Sequence, residues 1–592
     1  MMARDRARSF DVVRRRGRYY FTVGNKELLI VSTSVHRLLT CVLAWGLLSS
    51  PVASAWTQAA EAGGIRPVMV VSIANSDKIL GDIGFLTETA GAGDIGRLVA
   101  LMAAPYTAGL DKTKPAGAYL PAEGLEQMDV IGFVGVRDLD LLLGILQDQL
   151  GQPRDAGDGV KELATDQGQS VFLKEAAGWV FFAPRKALLS DLPRNPARLL
   201  GDMPENYTLA VRLNVNNIPA EMRKMAVQQL REGFEEGLRG QPLDGQQAQL
   251  ARDMGESWME SIVSLVDDSQ HVTIGWQVDA QDKSTYLDIS VTAQPKTQLA
   301  RDMGQVRESS SAFSGVLHPG AAAGMLVASP YTESDIKQTL ALIELARAEA
   351  MKGLDADQGL TSPEEREVAK KIVGDLLDLA KETIEAGKMD LGGCLVLMPE
   401  ALTAVVGGFI SDGNKLAATV QELHAFAKTK DARTPNVNFN AATHRGVTFH
   451  TASIPLPDDA DATARQVLGN PMEVVIGTGE TSVYLALGKD AQRMLVEIID
   501  TSAEQADTLV PPSQLWIALT PIMEFVASVD DNPVIRSLLM TLKATEGKDR
   551  IAMTVLPIPR GMTVRISLDA GVITMVGEGV RELAPLLQNL SF

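Results

Sequence analysis

Apolar and polar residues alternate along this chain with two periods, and the switches between those periods mark out its elements. A strand predicted at Met69–Ile73 leads into a helical region, then to strands at Ala118–Leu120 and Val130–Val136 and a helix at Leu139–Leu150. A hairpin follows at Ser170–Glu175 and Trp179–Ala183, whose alternation suits a half-buried sheet, and a short helix at Lys186–Leu192 closes it. Tyr207–Leu213 then reads as a strand. Two helices, Ala220–Leu238 and Gly245–Leu265, are broken by the turn-forming R-G-Q-P-L-D-G, and strands return at His271–Val278 and Thr285–Thr292.

The second half repeats this plan. A strand at Gly324–Ala328 leads to helices at Ser334–Lys352 and Pro363–Lys388, then to strands at Cys394–Met398 and Leu402–Ile410. The helix Lys415–Lys428 precedes a second hairpin, with strands Gly446–Ile454 and Ser482–Leu487 and a helix at Asp490–Ile499. A strand at Leu515–Thr520, a helical stretch to Lys543, and strands Arg550–Leu556 and Met562–Leu568 complete a fourth, shorter copy. The segment W-V-F-F-A-P-R-K-A-L-L from Trp179 and the segment S-V-Y-L-A-L-G-K-D-A-Q from Ser482 share one pattern. Ser362-Pro363-Glu364-Glu365 starts its helix with a capping serine, proline at the first helical position and glutamate at the third.

These elements predict an α+β protein of two homologous, internally duplicated halves, residues 66–305 and 316–592. The small-residue, serine-rich region 306–315 reads as the linker. Strands joined by long helical excursions and by tight hairpins imply antiparallel or mixed sheets covered by amphipathic helices. Some 537 residues after the first 55 exceed what one core organises.

Three motifs carry a resemblance. D-G-N-K-L-A-A-T-V-Q-E-L from Asp412, H-R-G-V-T-F-H from His444 and S-V-Y-L-A-L-G-K-D-A-Q-R-M-L from Ser482 together resemble exported bacterial repeat proteins of unknown function. In those proteins a module runs from a strand to a D-x-x-K-L helix, an x-x-G-V strand, a strand ending in glycine and a short helix. The resemblance covers about 100 residues of the second half well and the first half more loosely; it implies a fold and carries no site residues.

Residues 1–55 read as an N-terminal extension and signal peptide. Arg37 precedes the apolar run Leu38–Leu48, and Ala53 and Ala55 form an A-x-A site, so cleavage is expected before Trp56. The run is shorter than the roughly 20 residues of a membrane span, and no later stretch is long enough, so the mature chain is expected to be periplasmic or secreted with no membrane span. Cys41 sits at the start of the run, which argues against a lipoprotein.

Cleavage removes 9 of 55 basic and 3 of 74 acidic residues, leaving a formal charge of about −25. Such a surface repels phosphate backbones, so no nucleic-acid partner is expected. Of the two cysteines only Cys394 would remain, within C-L-V-L-M, where it reads as a buried small hydrophobe.

The candidate chemistry is sparse. Gly91-Ala92-Gly93-Asp94-Ile95-Gly96 spells G-x-G-x-x-G, yet no strand precedes it as a dinucleotide fold requires, so it reads as a glycine-rich turn. His444 and His450 are expected on one strand, facing the same side but too far apart to share a metal. His271, His318 and His424 lack partners at ligand spacing. Asp355 and Asp357 open like a calcium loop, but the position of its bidentate glutamate is Arg366; Asp458, Asp459 and Asp461 form a second acidic cluster, and both read as solvated loops. No cofactor or metal site is expected, and no catalytic residue can be named, since G-x-S-x-G and H-E-x-x-H are both missing.

The function expected is therefore a non-catalytic exported interaction or scaffold protein of the cell envelope. Its repeated modules would bind an envelope or extracellular protein or another ligand. The alternative is an extracytoplasmic hydrolase with paired carboxylates in a cleft between the halves; the scattering of its 6 Trp and 8 Tyr speaks against a sugar cleft.

Overall fold

The structure, a computed structural model, describes residues 11–15, 18–23, 26–29, 65–164, 170–239, 255, 259–457, 460–530 and 532–588. The run Leu38–Leu48, the A-x-A site and Trp56 lie outside the described residues, as do Asp458, Asp459 and much of the helix expected at Gly245–Leu265. Met1–Ser54 is a unit of its own, with an antiparallel meander of β1 (Asp11–Arg15), β2 (Arg18–Val23) and β3 (Lys26–Leu29).

The chain from Ala55 onward is one compact unit of α+β class. Its strands run β4 (Pro67–Ile73), β5 (Ala116–Pro121), β6 (Ile131–Gly135), β7 (Arg154–Asp155), β8 (Val160–Ala164), β9 (Ser170–Ala176), β10 (Trp179–Ala183), β11 (Leu209–Leu213), β12 (Ser269–Asp279) and β13 (Ser284–Ala293). They continue with β14 (Ser309–Ser310), β15 (Ala321–Pro330), β16 (Lys388–Met398), β17 (Ala401–Phe409), β18 (Val437–His444), β19 (Val447–Ile454), β20 (Met472–Thr478) and β21 (Ser482–Gly488). The last are β22 (Leu509–Val510), β23 (Ser513–Ala518), β24 (Arg550–Ile558) and β25 (Gly561–Asp569).

Every pairing is antiparallel, and apart from the short β14–β22 pair the strands join in a single path. In space the order is β7-β8-β9-β10-β6-β5-β4-β11-β12-β13, then β25-β24-β23-β15-β16-β17-β21-β20-β19-β18. The path has two ends: among the described residues β7 pairs with β8 alone and β18 with β19 alone. One sheet thus runs through the boundary between the two halves read from the sequence.

Long helices form the excursions between strands, Ser76–Thr89 and Gly93–Tyr106 after β4, Glu333–Ala356 and Pro363–Glu385 after β15, and Leu519–Val529 and Pro533–Lys543 after β23, and a further helix, Ala570–Gln588, follows β25. Their starts are fixed locally. Thr332 with Asp335 and Ser362 with Glu365 each close a capping box, satisfying helix N–H groups that would otherwise lack partners. The expected helix Leu139–Leu150 has those bounds, whereas Lys186–Leu189 is a 3₁₀ turn. The helical region expected between Ile73 and Ala118 is the pair Ser76–Thr89 and Gly93–Tyr106, whereas the helix Ala570–Gln588 and the strands β8, β18 and β20 had no counterpart in the pattern reading.

Two hydrophobic cores lie against one face of the sheet. The first gathers Val70, Tyr119, Phe133, Trp179, Phe181, Leu200 and Met203; the second gathers Phe313, Leu326, Val405, Phe449, Val475 and Trp516. The helix Ala491–Glu504 closes the second core with Ala491, Met494, Leu495, Ile498 and Ile499, positions that share one helical face. The stretch read as a linker is built into it: Phe313 and Val316 are buried there, and the Ser311 hydroxyl donates to Asp390 at 2.5 Å.

Between the cores the same face is polar. At the seam, Asp288 of β13 lies opposite Arg565 of β25. Arg565 donates from Nε to Asp288 Oδ1 at 2.8 Å and from a terminal nitrogen to Oδ2 at 2.9 Å, while the Tyr207 hydroxyl donates to Oδ2 at 3.1 Å. The guanidinium stacks 3.8 Å from the Tyr286 ring centroid. Burial, followed by the Asp288 charge, pushes the Tyr207 phenol up to about 12. Asp288 is buried and Arg565 half-buried, so removing the arginine strands a buried carboxylate. Arg565→Met is therefore expected to lower the unfolding free energy in urea by about 3 kcal/mol, and the double variant Asp288→Leu/Arg565→Met to regain most of it.

Candidate functional site

The sequence candidates are dispersed. Gly91, at φ +67°, turns the chain between Ser76–Thr89 and Gly93–Tyr106, and a Cβ on Gly96 would meet Thr87 Oγ1 at 2.1 Å. This glycine run therefore serves close helix packing, with no strand before it.

The two histidines expected on one strand are on two. His444 ends β18 and His450 lies within β19, because Arg445 and Gly446, at φ 45° and 80°, make a hairpin turn between them. That correction follows from the turn residues: Gly446 takes positive φ without a Cβ penalty. His444 Nε2 pairs with Asp500 at 2.8 Å, and Arg445 shares the same carboxylate. His450 Nε2 meets Thr478 Oγ1 at 3.1 Å, and its Nδ1 accepts from the Asn440 N–H at 3.1 Å. His318 pairs with Glu497 at 3.1 Å, and His424 sits edge-on to Phe439.

The acidic candidates are likewise engaged. Asp355 binds Lys370 at 2.6 Å, Asp357 accepts from the Gly359 N–H at 2.7 Å, and Asp461 caps the helix Ala462–Leu468. Asp390, buried, is held by Ser311, the Ala312 N–H and Lys388, the last at 3.0 Å. Two depressions open nearby or further along the surface. One, of about 220 Å³, has Arg307, Ser309, Lys388 and Asp390 on its walls; the other, of about 400 Å³, has Arg137, Asp140, Lys161 and Glu175. Both are open and carry mixed charge. Among the described residues no cluster of three metal-ligating side chains occurs, and no helix is long and apolar enough to cross a membrane.

The feature that stands apart is the other face of the sheet. Residues directly opposite one another across paired strands share a face, so the registers trace a row at right angles to the strands. It runs Ile476, Leu485, Val406, Gly393, Met325, Leu515, Met553, Ile566, Leu287, Trp276, Leu209, Ile73, Ala116. Apart from Gly393, every one is at least partly exposed. The parallel row two residues along is nearly as apolar, with Val483, Leu391, Val327, Val555, Val564, Ile289, Ile274, Val211 and Val71, interrupted by Ser513 between Val327 and Val555.

The contrast with the core side is sharp. Val405 is fully buried and its neighbour Val406 is 52% exposed; Leu326 is fully buried and Met325 is 41% exposed; Trp516 is 5% exposed and Leu515 is 45% exposed. From β10 through β20 this face carries no charged side chain, while Arg212, Asp288, Asp390 and Arg565 all point to the core side. Sequence reading missed it, although a signal was present: V-M-V-V-S-I, L-V-L-M and S-V-Y-L-A-L are apolar on both faces, as in strands covered on both sides.

No family model matches the chain, and no curated protein or solved structure is similar to it.

Two buried groups give tests of this geometry. Burial pushes the Cys394 thiol up to about 12, so at pH 8 an alkylating agent should leave Cys394 unmodified in the native protein and label it after denaturation, as read by peptide mass spectrometry. Burial, then the positive charge of Arg212, pulls the His271 imidazole down to about 4. Because an unfolded histidine titrates near 6.5, the unfolded chain binds the extra proton first. The stability contribution is complete above about pH 6.5 and is lost as the pH falls toward 4; His271→Gln should flatten that part of the stability–pH curve measured by chemical denaturation.

Proposed function

We propose that this is an exported, non-catalytic binding protein built of two duplicated halves, which takes its ligand or protein partner on the uncharged face of the sheet. The single observation that carries the reading is the cross-strand row from Ile476 to Ala116, apolar throughout and open along most of its length. Contiguous exposed apolar surface marks an interaction site more often than a stray imperfection of packing.

The duplication draws support from strand order. Counted outward from the seam, one arm is β13-β12-β11-β4-β5-β6-β10-β9-β8-β7 and the other β25-β24-β23-β15-β16-β17-β21-β20-β19-β18, so the members correspond one to one in chain order. Export draws support from Arg37, the run Leu38–Leu48 and the A-x-A site, and from the acidity of the remaining chain. For the hydrolase alternative, the buried carboxylates Asp288 and Asp390 are the natural candidates, and both are already committed to arginine, tyrosine, serine, lysine and backbone donors.

A fluorescent apolar dye such as bis-ANS tests the reading directly. The native protein should enhance its emission, and Val406→Glu and Leu515→Glu should each reduce that enhancement severalfold with the melting temperature unchanged. Enhancement that survives both substitutions would move the binding surface elsewhere.

A further inference from the structure

We infer that the occupant of this face is a long-chain lipid with an uncharged or zwitterionic headgroup, its acyl chains lying across the strands; this rests on the binding-face reading above. The first argument is chemical. A peptide or sugar brings hydrogen-bonding groups that must find partners when they leave water, and each one left unpaired opposes binding. This face offers almost none. Its Thr285 hydroxyl already donates to the Gln277 carbonyl and accepts from Trp276, and Thr478 is bonded to His450. Backbone groups within the sheet are used by the ladder, and a strand can add only at an edge.

The second argument is shape. Between Met325 and Val406 the row has Gly393, where an added Cβ would meet Val406 Cγ1 at 2.9 Å, and in the neighbouring row one on Gly132 would meet the Phe182 ring at 2.1 Å, so neighbouring side chains lie over these glycines. The surface there is low and continuous, which suits a chain laid along it. Its methionines, Met325, Met553, Met562 and Met389, can adapt to a partner of variable shape.

Length and charge complete the case. Thirteen strands at about 4.8 Å spacing extend the row to roughly 55–60 Å, well beyond the roughly 30 Å hydrocarbon core of a whole bilayer. The face therefore holds acyl chains end to end, one lipid on each arm of the sheet. A mature chain of about −25 disfavours an anionic headgroup.

Trp276 supplies the readout, since it sits in the row with its ring N–H on Thr285 at 2.9 Å, whereas Trp179 and Trp516 are buried in the two cores. The full mature protein is mixed with vesicles of phosphatidylcholine carrying brominated acyl chains, separated from them, and examined by tryptophan fluorescence and native mass spectrometry. Retained lipid approaching two molecules per chain is expected, with quenching that falls severalfold in Trp276→Phe. Val406→Glu and Leu515→Glu should lower retention at least about tenfold at unchanged melting temperature. Dye binding without retained lipid or quenching would overturn the lipid assignment and leave the binding face standing. Loss of both signals would overturn the two together. Equal retention of phosphatidylglycerol would overturn the headgroup assignment.

Discussion

The pairing of β13 with β25 is the constraint on which the rest of the molecule depends. Each of these strands would otherwise be the open edge of its own sheet, with a row of unpaired N–H and C=O groups inviting uncontrolled association. Nine register pairs, from Ser284 opposite Asp569 to Thr292 opposite Gly561, remove both edges at once. They also set which residues share a face across the whole width. A slip of one residue at this seam would turn one arm over relative to the other, bringing Leu287 level with charged side chains and breaking the apolar row. The Asp288–Arg565 pair opposes that slip, because its two hydrogen bonds form only when these residues are opposite.

With the seam fixed, the two faces take different work. Both buried cores lie on one side, where the helix Ala491–Glu504 and the turn at Ser314–Val316 cover one arm and the short helices around Leu200 and Met203 cover the other. On the opposite side Val406, Met325, Leu515, Met553 and Leu209 stay exposed while their chain neighbours are sealed, although Val278, Thr285 and Thr478 toward the strand ends of that side are buried. Because these side chains are already about half covered, leaving the rest in water forgoes about 1 kcal/mol each relative to full burial. Six exposed members of one straight row therefore represent a substantial reserve of binding energy, released when something apolar covers them.

Much of the fold was legible from periodicity because most elements are regular and strongly patterned. Leu139–Leu150 and the hairpin at Trp179–Ala183 emerged with their bounds, and the cap at Ser362 marked its helix start. The errors have local causes. Residues 444–454 read as one strand because both sides of Arg445-Gly446 are β-forming, while the turn itself is only two residues long. β18 escaped notice because its exposed asparagines and threonine mask its alternation, and β20 because its apolar residues fall on both faces. The same ambiguity hid the candidate site. A strand such as β15, with Leu326 sealed and Met325 open, reads identically whether its second face is capped by helices or left bare. Only the arrangement of elements distant in sequence decides that.

The distribution of polar groups also bears on selectivity. The hydrogen-bonded pairs that define a unique register, Asp288 with Arg565 and Asp390 with Ser311, are confined to the core side, where low dielectric makes an unmatched partner costly. The open side is assembled from valine, leucine, isoleucine, methionine and glycine, which attract apolar surface without dictating its orientation. Fold specificity and the proposed ligand contact thus fall on opposite faces of the same strands. On the proposed reading, discrimination among ligands on the open face would arise mainly from the exclusion of charge, since the Trp276 N–H and the Thr285 and Thr478 hydroxyls there already have partners.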